Sequence, residues 1–298
     1  MLRVTVFFLA LTAGLAVAAP MIELTSSGQP IRGRRIAHNK DACWLTDVDG
    51  RLIEVQVSTV TDFRKVAEEF QQRPVSEVRK ALAAELGAGF DVAIRGRYVV
   101  GAPRGKADQF ASLFDETSRE FLQYLKVRKF QVEEPDLPLV AVVYPTRSQF
   151  VERCAKDDVH SGPVLRGYYD QRSNRVTLYD DPQEQAVAIS APAGKASGKG
   201  TARNASRTAQ ANSGPSTPAE MSIETAVHEA IHQVAFNAGL HSRLGGNPVW
   251  VVEGLAMQFE RGKNGHVKTR SSERINVPRL ANFDEYRRQR RKAGSLAQ

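Results

Sequence analysis

Cysteine is scarce in this chain: Cys43 and Cys154 are the only two among 298 residues. That excludes a disulfide-dense secreted scaffold, and it excludes a thiolate metal knuckle, which needs several cysteines at short spacings. Two thiols leave two readings open, a single bridge in an oxidising compartment or two separately buried small apolar side chains. Long apolar runs are also missing beyond the N-terminus, so no second segment can span a bilayer. Basic excess is missing from the body as well. Residues 261–298 carry 11 Lys/Arg against 3 Asp/Glu, which accounts for the whole net charge of +8 and leaves 30 of each sign in the first 260 residues. A nucleic-acid-binding role needs a basic excess on one face, so none is expected of this charge-balanced body. The basic tail, with Arg287-Arg288-Gln289-Arg290-Arg291-Lys292, reads as a solvated end able to make weak contact with an anionic envelope surface.

The chain opens with Arg3, an apolar run from Val4 to about Ala16, and Ala16-Val17-Ala18 as a small-x-small cleavage pattern. This is the layout of a Sec-type signal peptide over residues 1–18, and it implies an exported, soluble mature protein in the periplasm, at the cell surface or outside the cell. Residues 19–60 read as a small β module. Within it, IRGRRIAH, ACWLT and RLIEVQV are divided by Asn39-Lys40-Asp41 and Asp47-Val48-Asp49-Gly50, which predicts three strands in an SH3-like meander.

From Asp62 to Gly87 the pattern predicts helix in two pieces divided by Pro74, with Gly87 as the stop. FDVAIRGRYVVGAP reads as a hairpin. The segment from about Lys106 to Val127 reads as a long helix with Phe110, Leu113, Phe114, Thr117, Phe121, Tyr124 and Leu125 as its apolar stripe. Leu137–Tyr144 is a continuous apolar run of strand length, as a strand covered on both faces requires. Thr146-x-x-Gln149 has the form of a capping box opening a helix that carries Phe150 and Cys154, and a second hairpin follows over residues 167–180. In residues 191–217, 18 of 27 positions are Ala, Ser, Gly or Thr with no apolar period, so residues 183–217 are expected to form a disordered insertion.

The chemistry concentrates in Thr217–Glu260. Thr217-Pro218-Ala219-Glu220 is a helix start, Gly239 a stop, and Asn247-Pro248 a second start. Between them lie His228-Glu229-x-x-His232 and, 21 residues on, Glu253 in Trp-Val-Val-Glu-Gly-Leu-Ala. Side chains at i and i+4 share one helix face, so both imidazoles can reach one metal ion with Glu229 beside them. Three fixed positions in five recur by chance in on the order of one chain in a hundred of this length. The motif alone is therefore weak; the second capped helix, with a glutamate among small residues, strengthens it.

HEAIH followed by WVVEGLA resembles the gluzincin metallopeptidases. More narrowly, GYYDQRSNRVTLYDD, ETAVHEAIHQVAFNAGL and WVVEGLAMQFE are similar to a bacterial peptidase-MA-like domain family of unknown function, over about residues 90–260. The resemblance implies an α+β, zincin-like domain with a mixed sheet over two active-site helices, here spanning residues 61–260. It further implies Zn2+ held by His228, His232 and Glu253, with Glu229 as general base. The implied activity is hydrolysis of a peptide or protein substrate. Past Glu260 the chain departs from the pattern, with about 38 polar, basic residues. Tyr286, His266, His241 and Tyr168 are then the candidates for an oxyanion donor. The alternative is a non-catalytic envelope binding or scaffold protein whose metal site is structural or vestigial.

Overall fold

The structure is a computed structural model that describes residues 19–163, 165–181 and 218–260. The expected signal peptide, the low-complexity insertion and the basic tail lie outside the described residues. By contact the chain divides into two units, residues 1–48 with 53–71 and residues 49–52 with 72–298.

The first unit is a five-stranded sheet. Its strands are β1 (Met21–Ser26), β2 (Gln29–His38), β3 (Ala42–Asp47), β4 (Leu52–Gln56) and β5 (Val60–Ala67), in the order β4-β3-β2-β1-β5. Ser27 and Gly28, both at positive φ, make the two-residue turn that joins β1 to β2 with Ser26 opposite Gln29. Ile22, Leu24, Leu45 and Val55 form its small core. The three-stranded meander expected over 30–58 is thus part of a larger sheet.

The helix expected from Asp62 is β5. Asp62 sits at φ 53°, outside the helical region, and the strand pairs antiparallel with β1, setting Glu23 opposite Arg64. On its other side Glu23 faces Arg32 of β2, and its carboxylate takes both guanidinium groups. Cross-strand pairing decides the conformation here over a charge-rich sequence that would suit a helix equally well. The first unit therefore continues to Gln71, past the boundary expected at residues 60/61.

The second unit is an α+β arrangement around a mixed sheet. Its strands are β6 (Phe90–Arg95), β7 (Tyr98–Pro103), β8 (Leu139–Tyr144), β9 (Gly167–Asp170) and β10 (Arg175–Tyr179), ordered β6-β7-β8-β10-β9. β8 runs parallel to β7 and β10, and the antiparallel hairpin partners β6 and β9 form the two edges. The five α-helices among the described residues are α1 (Val75–Leu86), α2 (Ala107–Val127), α3 (Arg147–Lys156), α4 (Pro218–Asn237) and α5 (Val249–Phe259).

Strand alternation sorts the core. Leu139, Ala141 and Val143 of β8 join Val100, Val176 and Leu178 under α2, α4 and α5, while Val140 and Val142 face Val78 and Leu82 of α1. The continuous apolar run of β8 is explained by this two-sided cover. On α2, Phe110, Phe114, Phe121 and Leu125 are buried, as its periodicity predicts. Thr146 caps α3 by accepting from Gln149 N. Cys154 packs with Phe150, Tyr168 and Tyr179, and both cysteines are free thiols.

Close packing and buried hydrogen bonds hold α4 on the sheet. Gly167 opens β9 so close to α4 that a Cβ there would lie 2.7 Å from Thr225 Cγ2 and 3.0 Å from Leu178 Cβ. Gln233, fully buried, donates to the backbone carbonyls of Val140 and Asn174 at 3.1 and 2.8 Å. Asn237, one turn on, exchanges side-chain hydrogen bonds with Asn174. The helix ends as Gly239 predicts: Gly239 takes φ 75° and Leu240 N donates to Ala235 O, the six-to-one bond of a Schellman ending.

Candidate metal centre

α4 carries His228, Glu229 and His232 on its inward side, with the apolar residues Val227, Ile231 and Ala235 buried in the core between the helix and the sheet. α5 is fixed by its C-terminal half. Phe259 sets its ring edge-on against Phe121 and Tyr124 of α2, with centroids 4.9 Å from each, and Ala256 is fully buried. Glu253 lies one turn before Ala256, at the border where α5 emerges from the core.

This brings the three expected ligands together. His228 Nε2 and His232 Nε2 are 3.0 Å apart, and Glu253 Oε2 lies 3.2 Å from the former and Oε1 3.5 Å from the latter. A tetrahedral ion with bonds of about 2.05 Å separates its ligand atoms by roughly 3.3 Å. The two imidazole nitrogens, and the carboxylate that turns one oxygen toward each of them, therefore stand close to the spacing of such a shell. Among the described residues this is the group of imidazoles and carboxylates able to hold a metal ion. It is asymmetric: His232 is buried, while the Glu253 side chain is 50% exposed and forms the open side.

Glu229 is buried beside the triad. Burial raises its pKa, the charges of His228 and His232 oppose that rise, and the backbone N–H of Tyr169 on edge strand β9 also reaches the carboxylate. In the metal-free state burial disfavours the charged form of His228, but hydrogen bonds to Glu253 and Glu260 outweigh it and raise the pKa to about 10. The same two histidines hold the Glu253 carboxyl well below the usual carboxylate range. Without metal the site is an imidazolium–carboxylate cluster, and a cation entering it displaces a proton.

Glu260 is a site residue that the sequence reading missed. Its Oε1 lies 3.1 Å from His228 Nδ1, so it fixes the ring whose Nε2 faces the triad. Such outer carboxylates orient a ligating imidazole and raise its basicity. The available signal was spacing: Glu260 follows Glu253 by seven residues, two helical turns along the same stripe.

Several expectations need correction. The small residues around Glu253, Gly254 and Ala256, are expected to let the two helices approach closely, but a Cβ at Gly254 would meet nothing within 4 Å, and Ala256 alone packs against the core. Asn247 does not cap α5. Its side chain pairs instead with the backbone of Ser242, and Pro248 stands at the N-cap without a side-chain bond. Tyr168 is withdrawn as an oxyanion donor, since its hydroxyl donates to Asp157 at 2.6 Å within the Phe150 cluster. His241 is buried against Phe236, and burial lowers its pKa. Tyr286 and His266 lie outside the described residues.

With this geometry in place, comparison with known families adds one match. Residues 222–298 match a family model described as a protein of unknown function (DUF1570). No curated protein and no solved structure matches the chain. The matched segment contains His228, Glu229, His232, Glu253 and Glu260 together, and it runs on through the basic residues after Glu260.

Proposed function

We propose that the protein is an exported zinc-dependent peptidase of the gluzincin type, with a zincin-like catalytic unit built on β6–β10 and the five helices. The observation that carries this reading is the spacing of His228 Nε2, His232 Nε2 and Glu253 at 3.0–3.5 Å, with a buried carboxylate beside them. Two neutral nitrogens and one carboxylate suit zinc, and three protein ligands with an open side are the donor set of a catalytic rather than a structural site. Zinc bound there supplies Lewis-acid polarisation of a scissile carbonyl and lowers the pKa of water.

The chain's own residues do the rest. Glu229, made more basic by burial, takes a proton from the attacking water and delivers it to the leaving amine nitrogen. Glu260 holds His228 in orientation through Nδ1. Edge strand β9, paired among the described residues with β10 alone and touching Glu229 at Tyr169, offers an extended peptide a backbone to pair with.

The test is metal analysis of the purified protein followed by exposure to a peptide library. One zinc per chain and cleavage that a chelator stops and added zinc restores support the proposal. One zinc per chain with no library member cleaved favours the envelope scaffold instead.

A further inference from the structure

α2, the β6–β7 turn and the loop before β8 enclose a cavity of about 460 Å³, and none of its lining residues belongs to α4, α5 or β9. That volume falls within the range of small-ligand sites, roughly 300–1,000 Å³. One buried polar group in its lining is unsatisfied. Tyr98 opens β7, is 1% exposed, and packs its ring on Phe114 with centroids 5.2 Å apart. Its hydroxyl has no hydrogen-bond partner among the described residues. Burial and the nearby Asp115 charge raise its pKa, so the hydroxyl stays protonated and able to donate at physiological pH. A buried hydroxyl without a partner is costly, and in the lining of a cavity it points to an acceptor that a ligand brings.

The walls are charged, and the charges are held in place. Gly96, at φ 52°, leaves room for Asp115, whose carboxylate a Cβ at Gly96 would strike. Asp115 in turn holds Arg119 at 3.0 Å, and Glu134 holds Lys126 at 2.7 Å. The third cation, Arg97, donates through Nη1 to the backbone carbonyl of Asp136 at 2.9 Å and, among the described residues, is in no ion pair. Its charge reaches the Glu134 carboxylate only at longer range. Three basic and two acidic residues in the lining leave one positive charge in surplus, carried by a guanidinium with further donors to offer. Leu122, Pro135 and Leu139 supply the apolar part of the wall.

We propose that this cavity binds a small organic carboxylate, with its oxygens shared between the Arg97 guanidinium and the Tyr98 hydroxyl and its hydrocarbon part on Leu122, Pro135 and Leu139. A monoanion matches the surplus charge. A carboxylate also matches a planar cationic fork beside a neutral donor, since each contact is then a charge-assisted hydrogen bond. The cavity uses no residue of the metal centre, so its ligand is independent of whether that centre is catalytic.

The test titrates the full chain by calorimetry with phenylacetate, its neutral analogue phenylacetamide, and N-acetylphenylalanine. Each titration is run with zinc added and again with 1,10-phenanthroline, a chelator that bears no carboxylate. Phenylacetate stands for a free acid and N-acetylphenylalanine for the C-terminus of a peptide, and the tighter of the two identifies the source of the carboxylate. One site per chain is expected, with the better acid at least about tenfold tighter than the amide and equally tight with and without metal. Arg97→Gln, at an exposed position, should weaken binding about tenfold or more, and Tyr98→Phe about fivefold. Tyr98→Phe keeps the ring against Phe114 and removes an unsatisfied hydroxyl, so the ligand-free variant should melt at or above the wild-type temperature while binding more weakly. Equal affinity for acid and amide, no binding of either acid up to about 10 mM, affinity lost with the metal, or full affinity in both variants overturns the proposal.

Discussion

Glu260 Oε1 lies 3.1 Å from His228 Nδ1, so the residue that closes α5 orients the first histidine of α4. The contact ties the two helices of the metal centre at a second point, two turns beyond Glu253. Glu260→Ala is expected to lower zinc affinity about 10–100-fold, the usual cost of losing an outer-shell carboxylate. Competition with a zinc-responsive dye measures this directly. Glu260→Gln should retain part of the affinity, because its amide oxygen can still accept from Nδ1–H.

The metal-free cluster sets a pH dependence. The pKa of His228 is raised from 6.5 to about 10, so its contribution to stability is complete below pH 6.5 and is lost as pH rises through 10. The pKa of Glu253 is lowered from 4.5, so its contribution is present above pH 4.5 and is lost as pH falls. Together they stabilise the chelated protein most between pH 4.5 and 6.5. Thermal midpoints measured across pH with a chelator present should peak in that window and decline on the alkaline side. With excess zinc the peak should move to higher pH, because the ion needs His228 neutral.

Gly167 places the edge strand. Gly167→Ala sets a Cβ 2.7 Å from Thr225 Cγ2 and 3.0 Å from Leu178 Cβ, and should cost about 1–3 kcal/mol of unfolding free energy by overpacking. The double variant Gly167→Ala/Thr225→Ser keeps the hydroxyl and removes the clashing methyl, so it should recover part of the loss. Urea denaturation of the three proteins gives the comparison.

How much of this was legible in the sequence depends on whether the deciding contact was local. The double cover of β8, the stripe of α2, the Thr146 cap and the Gly239 ending follow from spacing, and all are present. The ligand set was legible because an i, i+4 histidine pair needs only a helix, and Glu253 stands in a helix of its own. Long-range pairing was not legible. Val60–Ala67 has a composition compatible with helix and becomes a strand because β1 offers it Glu23 and a free edge. Gly254 drew attention as a small residue beside Glu253, yet only the fold shows that it faces open space while Ala256 faces the core. Glu260 gave a faint periodic signal that acquires meaning only once His228 is opposite it.

The most direct test of the central claim is Glu229→Gln, assayed beside the wild type for zinc content, peptide cleavage and thermal stability. The substitution removes a carboxylate that burial makes costly to ionise and keeps its shape. The account predicts unchanged zinc content, cleavage reduced by about 10²–10⁴-fold, and a thermal midpoint at neutral pH at or above that of the wild type. Cleavage at the wild-type rate by the zinc-loaded Glu229→Gln protein would contradict it.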